Sequence, residues 1–157
     1  MAGNPPHHRR TFSVIIPLEL HHGQAERCLI GWIQGQTYPR DRYEVLAVAP
    51  ADAPARALHT WESFLTARDR LLRCADRHDM ALYMVGAQAA NGRTLFFTES
   101  HCWPAPDALA TAEQVLDGRS DWAGFSGRSV RSTHNQPSIA EADAYESDVA
   151  ATVRRYP

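Results

Sequence analysis

Leu95-Phe96-Phe97-Thr98-Glu99-Ser100-His101-Cys102-Trp103-Pro104 is the stretch whose reading decides the fold. Three apolar residues stop abruptly on an acid, a small polar residue and an imidazole. A run that ends this way reads as a buried strand reaching its carboxyl end, where open α/β sheets place their ligand crevice. In extended backbone, residues i and i+2 project to the same side, so Glu99 and His101 share one side of the strand end. A carboxylate oxygen and an imidazole nitrogen together suit a divalent cation. The plainer alternative is a polar strand end facing water.

The rest of the chain supplies a frame for that strand. Phe12-Ser13-Val14-Ile15-Ile16, closed by Pro17, reads as a buried first strand. Ala25, Cys28, Leu29, Trp32 and Ile33 recur at helical spacing within 24–34, and Gly35 marks the stop. Tyr43 to Ala49 is almost continuously apolar, as expected of a parallel strand covered on both faces. The spacing of Trp61, Phe64, Leu65, Leu71, Leu72 and Ala75 predicts one long helix over 58–77. Met80 to Met84 then reads as a short strand, and 86–90 as a short helix stopped by Asn91-Gly92. Thr94 to Thr98 is the next strand, and 107–116 a helix. A strand over 121–125 and a helix over 139–154 complete the series. Alternating strands and helices predict a three-layer α/β domain with a mostly parallel sheet. A polar tail, residues 1–11, precedes a domain over 12–157. Nothing in the pattern closes the fold after 154, so the domain is expected to continue beyond this chain.

Bulk composition narrows the function classes. Sixteen basic and 18 acidic residues leave a formal net charge of -2, which gives no electrostatic case for nucleic acid or an anionic membrane. No apolar stretch approaches the roughly 20 residues of a membrane span, and the tail lacks the apolar core of a secretion signal. Three cysteines make no even-numbered disulfide framework, which suits a reducing, cytoplasmic setting. Cys28 and Cys74 read as small buried side chains. Trp32 and Trp61 suit packing faces, with Trp103 and Trp122 nearer the presumed crevice.

Other candidate sites are less specific. Glu19 follows the first strand and is placed to reach a ligand. Gly86-Ala87-Gln88-Ala89-Ala90-Asn91-Gly92 matches no phosphate-cradling loop, and close packing of helix on sheet explains its small residues. His101-Cys102 with His78 has no standard zinc-ligand spacing. No Ser-His-Asp or Cys-His set is assignable from order alone. Arg128, Arg131 and His134 put positive charge in a polar loop, where solvation is sufficient explanation.

The ordered pieces resemble a known family. Ser13-Val14-Ile15-Ile16-Pro17, Cys28-Leu29, Gln36-Thr37-Tyr38-Pro39 and Tyr43-Glu44-Val45 are similar to the opening of the family 2 inverting glycosyltransferases, which have the GT-A fold. Gly86-Ala87 with Ala90-Asn91-Gly92 looks like that family's small-residue segment. Leu95 to His101, followed by Pro104-Ala105-Pro106-Asp107-Ala108-Leu109, looks like its metal-motif strand and next helix. The resemblance runs from about Phe12 to about Phe125.

It implies a Rossmann-like GT-A nucleotide-diphospho-sugar transferase fold, of which this chain supplies the N-terminal, donor-binding portion. The implied partners are a nucleotide-sugar donor and an acceptor hydroxyl, with Mg2+ or Mn2+ as cofactor. The family's Asp-x-Asp corresponds to Glu99-Ser100-His101, so the resemblance makes Glu99 and His101 the metal residues. Pro17, Glu19, Asp52 and Glu99 are the implied donor contacts, and no catalytic base is assigned. Where the family ends its second strand on one or two aspartates, this chain has Ala49-Pro50, with Asp52 the nearby carboxylate. Two alternatives remain at this point: a degenerate GT-A-like domain that binds or regulates a partner, and an unrelated nucleotide-binding α/β domain.

Overall fold

The computed structural model describes residues 11–18, 24–117, 119 and 123–127. Eight main elements alternate along the chain: β1 (Phe12–Pro17), α1 (Ala25–Ile33), β2 (Tyr43–Pro50), α2 (Ala55–Glu62), β3 (Arg70–Cys74), α3 (Asp79–Ala89), β4 (Thr94–Phe97) and α4 (Ala108–Leu116). A short 3-10 turn, Arg40–Arg42, leads into β2. The chain divides into two compact units, Met1–Ala112 and Glu113–Pro157, and the whole sheet lies in the first.

The four strands are parallel in the order β3-β2-β1-β4. Both central strands are buried along their whole length, as expected of runs that are apolar but for Ser13 and Glu44. Alternation along the strands assigns the helices to faces. Phe96 packs edge-on against Trp32 of α1, with ring centroids 4.9 Å apart. Its neighbour Phe97 points the other way and meets Tyr83 of α3 at 5.5 Å. Helix α3 covers Ile15, Leu46, Val48 and Cys74 on that second face. Its close seat on the sheet depends on Gly86, where an added Cβ would fall 2.4 Å from Ile15 Cγ2. The small residues of this segment therefore serve packing.

The expected α/β alternation holds, but two of its boundaries are corrected. The helix expected over 58–77 ends at Glu62, and Arg70–Cys74 is strand β3 paired with β2. The break is made by Asp69. Its carboxylate accepts from the Thr66 N–H at 2.9 Å and hydroxyl at 2.7 Å, from the Val45 N–H at 2.9 Å, and from Arg40. These bonds turn the chain and start β3 beside β2, overriding the helical spacing of the leucines. The strand expected over Met80 to Met84 is instead the first half of α3. His78 Nδ1 accepts the Met80 N–H at 3.3 Å and caps that helix. Only Leu82 of this run is buried, while Met80 and Met84 are exposed, the pattern of a helix with one face inward. The tail before Thr11, the first two residues of the strand expected over 121–125 and the helix expected over 139–154 lie outside the described residues, as do Glu19, Trp122, Arg128, Arg131 and His134; the described remainder, 123–125, holds a single bridge residue rather than a strand.

The amino ends of the strands are tied by one buried carboxylate. Glu44, on β2, is fully buried. It accepts from the Ser13 hydroxyl of β1 at 2.7 Å, from Arg70 of β3 at 3.2 Å and from the Asn91 N–H at 2.7 Å. Ser13 Oγ in turn accepts the Gly92 N–H at 2.8 Å. A Cβ on Gly92 would lie 2.4 Å from the Ser13 backbone nitrogen, so only glycine lets this loop approach. Glu44→Ala should therefore lower stability by about 3 kcal/mol, because it orphans the buried Ser13 hydroxyl and the part-buried Arg70 and Asn91 donors at once. Urea unfolding measures this; a loss below about 1 kcal/mol would show that the donors find other partners.

Burial pushes the Asp69 carboxyl up, but the bonds from Arg40, Thr66 and Val45 outweigh it and hold the group below its ordinary value. The folded chain then binds this proton less readily than the unfolded chain, so Asp69 stabilises the fold above its unfolded pKa of about 3.9. That contribution drains away as pH falls through the lower folded value. The stability gap between the wild type and Asp69→Asn should be constant above about pH 5 and shrink below about pH 4. A gap that widens on acidification would contradict the assignment.

Candidate functional site

All four strands point their carboxyl ends the same way, so the loops that follow them gather at one edge of the sheet. Strand β1 is the switch point. The chain steps from it to β2 and β3 on one side, then crosses back through α3 to β4 on the other. In open α/β sheets the crevice at such a point is the ligand site. Two groups of expected site residues flank it.

The first group follows β4. Thr98 is held from both sides: its N–H donates to the Ile15 carbonyl at 3.2 Å, and its carbonyl accepts from the Tyr83 hydroxyl at 3.1 Å. The chain then makes a tight turn in which the Cys102 N–H donates to the Glu99 carbonyl at 3.0 Å. The Cys28 thiol of α1 donates to the same carbonyl at 3.5 Å. Ser100 is buried beneath the turn. The backbone is thus fixed while the side chains stay open: Glu99 and His101 are 54% and 43% exposed, which leaves both reachable by a ligand. His101 Nε2 lies 2.9 Å from Glu99 Oε2, so the expected pairing of the two groups is present.

Sequence spacing missed a third member. Cys102 Sγ lies 3.9 Å from Glu99 Oε2, and one ligand atom from each of Glu99, His101 and Cys102 falls within 4.8 Å of the others. The signal available was the turn itself, which brings i and i+3 together. Cys28 is a different kind of thiol. Burial, followed by the nearby Cys102, pushes it up to about 12, so it stays protonated as a donor to the turn. His78, capping α3, is remote from any such set in sequence and role. Trp103 is partly exposed and carries the Arg27 guanidinium 3.5 Å above its ring, which fixes the indole beside the turn. Trp32 and Trp61 are buried packing residues.

The second group follows β2 and β3. Ala51, Asp52, Ala75, Asp76 and Arg77 line an open cleft of about 580 Å³. Asp52 forms an exposed ion pair with Arg77 across it. The cleft is held in place by the Ala51 N–H donating to the Cys74 carbonyl at 2.7 Å and by Arg73 donating to the Ala51 carbonyl. Pro17 ends β1 between the two groups; it is buried, and the following Leu18 N–H donates to the Val48 carbonyl at 2.8 Å. Strands lie about 4.8 Å apart, so the Asp52 cleft and the Glu99 turn leave the sheet about 10 Å from each other. Among the described residues no helix is long and apolar enough to cross a membrane.

No family model matches the chain, and no curated protein does. Solved structures do. The chain is 20% identical to S. aureus TarS 1-349 at a TM-score of 0.59, over 78% of this chain and 39% of that one. For TarS 1-349 in complex with UDP the identity is 19% and the TM-score 0.58, over 78% and 38% of the two chains. For its complex with UDP-GlcNAc the values are 19% and 0.58, over 78% and 37%. The chain spans less than two fifths of the length of these TarS structures. Its parallel β3-β2-β1-β4 sheet with flanking helices is thus a fold shared with part of TarS.

Proposed function

We propose that this chain is the donor-binding part of a GT-A glycosyltransferase of the family 2 type, which moves a sugar from a nucleotide diphosphate to an acceptor hydroxyl with inversion. The observation that carries the reading is the Glu99–His101 pair, 2.9 Å apart on a fixed turn at the sheet's switch point, opposite the Asp52 cleft. Its support is the fold shared with S. aureus TarS, a protein whose structures hold UDP and UDP-GlcNAc.

Each residue has a role that its environment allows. Asp52 offers acceptor oxygens to the ribose hydroxyls or to a base N–H, and Arg77 exchanges its exposed pairing with Asp52 for an anionic group of the ligand. Pro17 borders the nucleoside from the end of β1, and Glu19, outside the described residues, keeps the donor contact that the family resemblance implies. Glu99 and His101 present an oxygen and a nitrogen that fit a divalent cation such as Mg2+ or Mn2+. That cation would offset the charge of the donor diphosphate and help it leave. His101 takes the more direct ligand position and Glu99 sits beside the diphosphate. A nucleoside diphosphate spans from the Asp52 cleft to this pair across β1. Three free cysteines suit the reducing cytoplasm, where nucleotide sugars are at hand.

One observation favours a second reading. The end of β2 carries Ala49 and Pro50, and the nearest carboxylate, Asp52, is already paired with Arg77. A GT-A-like domain that has lost donor binding and acts on a partner would show this arrangement.

Calorimetry separates the two. With UDP and Mn2+, the wild-type chain should bind and the Glu99→Ala, His101→Ala double variant should lose at least tenfold in affinity, about 1.4 kcal/mol. Asp52→Ala should weaken UDP with or without the cation. A folded wild type that binds no nucleotide supports the regulatory reading, and unchanged affinity in the double variant sinks the proposed site.

A further inference from the structure

We propose that Cys102 is a third ligand at the Glu99–His101 turn, and that the site is a carboxylate–imidazole–thiolate centre selective for Zn2+ and similar borderline-soft cations over Mg2+. The proposal rests on the reading above that Glu99 and His101 hold a cation, and changes which cation they hold.

The geometry is close to what such a centre needs. On a tetrahedral Zn2+ with bonds of about 2.0–2.3 Å, neighbouring ligand atoms sit roughly 3.3–3.6 Å apart. Here the Glu99–His101 separation is 2.9 Å and the Glu99–Cys102 separation 3.9 Å. The first must open and the second must close by a few tenths of an ångström, and the His101–Cys102 separation, which lies within 4.8 Å, must close by up to about 1.3 Å. These are exposed or half-exposed side chains, so rotation about χ angles supplies the adjustment without moving the backbone. The backbone itself is set by the two donors to the Glu99 carbonyl, from Cys102 N–H and Cys28 Sγ. Three protein ligands leave a fourth position for water or a donor phosphate oxygen, as at catalytic zinc sites.

The ligand types decide the preference. Mg2+ demands oxygen ligands in near-octahedral geometry and sheds water reluctantly. A thiolate and an imidazole suit Zn2+ and Co2+ instead. On binding, the Cys102 thiol releases its proton to solvent, His101 coordinates as neutral imidazole, and no electron is transferred. Cys28 takes no part as a ligand, since its hydrogen is committed to the Glu99 carbonyl.

Zinc binds more tightly than manganese at most nitrogen and oxygen sites, so a bare preference for Zn2+ does not test the thiolate. The test uses the full chain with His7→Ala and His8→Ala, which removes the histidine pair of the tail as a competing site. Co2+ is added and followed by absorbance; Zn2+, Mn2+ and UDP binding are measured by calorimetry. The expected results are a near-ultraviolet thiolate-to-cobalt charge-transfer band, its loss in Cys102→Ser and its survival in Cys28→Ser. Zn2+ affinity should fall at least tenfold in Cys102→Ser, and Mn2+ affinity less than threefold. Far-ultraviolet circular dichroism checks that the half-exposed Cys102→Ser variant stays folded. A band that persists in folded Cys102→Ser overturns the proposal. So does the lack of any band while UDP and Mn2+ binding still depend on Glu99 and His101; the donor-site reading then stands. Metal binding through Cys102 without UDP binding supports this proposal and overturns the donor reading. Binding of neither overturns both.

Discussion

The buried carboxylate of Glu44 is the constraint on which the rest of this structure depends. A fully buried charge is tolerated only when its oxygens are taken up by donors. Here those donors come from three different parts of the chain: Ser13 on β1, Arg70 on β3 and Asn91 in the loop before β4. Satisfying one carboxylate therefore sets the register of β1 against β2 and the approach of the α3–β4 loop together. Ser13 faces Glu44 directly across the β1–β2 ladder. Through Ser13 and Gly92 the same network fixes where β4 begins, two residues after Gly92. A slip of one residue would exchange Phe96 and Phe97 between the faces, pulling one ring from Trp32 and the other from Tyr83. It would also move Glu99 and His101 off the turn that presents them.

The two ends of the sheet are consequently built for different purposes. At the amino end, two carboxylates are buried and saturated: Glu44 by Ser13, Arg70 and Asn91, Asp69 by Arg40, Thr66 and Val45. Neither has an oxygen to spare for a ligand. At the carboxyl end, Asp52, Glu99 and His101 are exposed, with pairings that water or a ligand can replace at little cost. Burial of acidic groups at one end holds the register that their exposure at the other end exploits.

This division also explains which features were legible in the sequence. Strands β1, β2 and β4 announced themselves because their burial is continuous or ends on a polar stop, and α1 because its apolar residues recur on one face. The stretch 58–77 did not, since Trp61, Leu65, Leu72 and Ala75 fit a helix as well as a helix, turn and strand. What separates the two is Asp69, whose ligands Arg40 and Val45 are distant in sequence. Met80 to Met84 misled for the opposite reason: five residues are too few to carry a period, and the deciding cap from His78 is a local hydrogen bond rather than a pattern. Glu44 read as one acid in an apolar strand; its role needs three partners up to 47 residues away. At the site, the i, i+2 logic brought out Glu99 and His101. They do come together, yet on a turn after β4 rather than on its extended backbone, and it is that turn which adds Cys102.

The turn also decides which side chains can meet. On an extended strand, side chains at i and i+2 share one face while i+3 lies on the other. A tight turn closed by Cys102 N–H to the Glu99 carbonyl lets side chains from i, i+2 and i+3 lean together over a rigid backbone. The Cys28 thiol couples that backbone to α1, and α1 in turn holds β4 through Trp32 and Phe96. The close seat of Gly31 against Pro104, 2.9 Å from an added Cβ to Pro104 Cδ, clamps the segment just beyond the turn to the same helix. Precision in the backbone and freedom in three short side-chain torsions is the combination that a metal or phosphate site requires, because the entropy of ordering the chain is already spent before a ligand arrives.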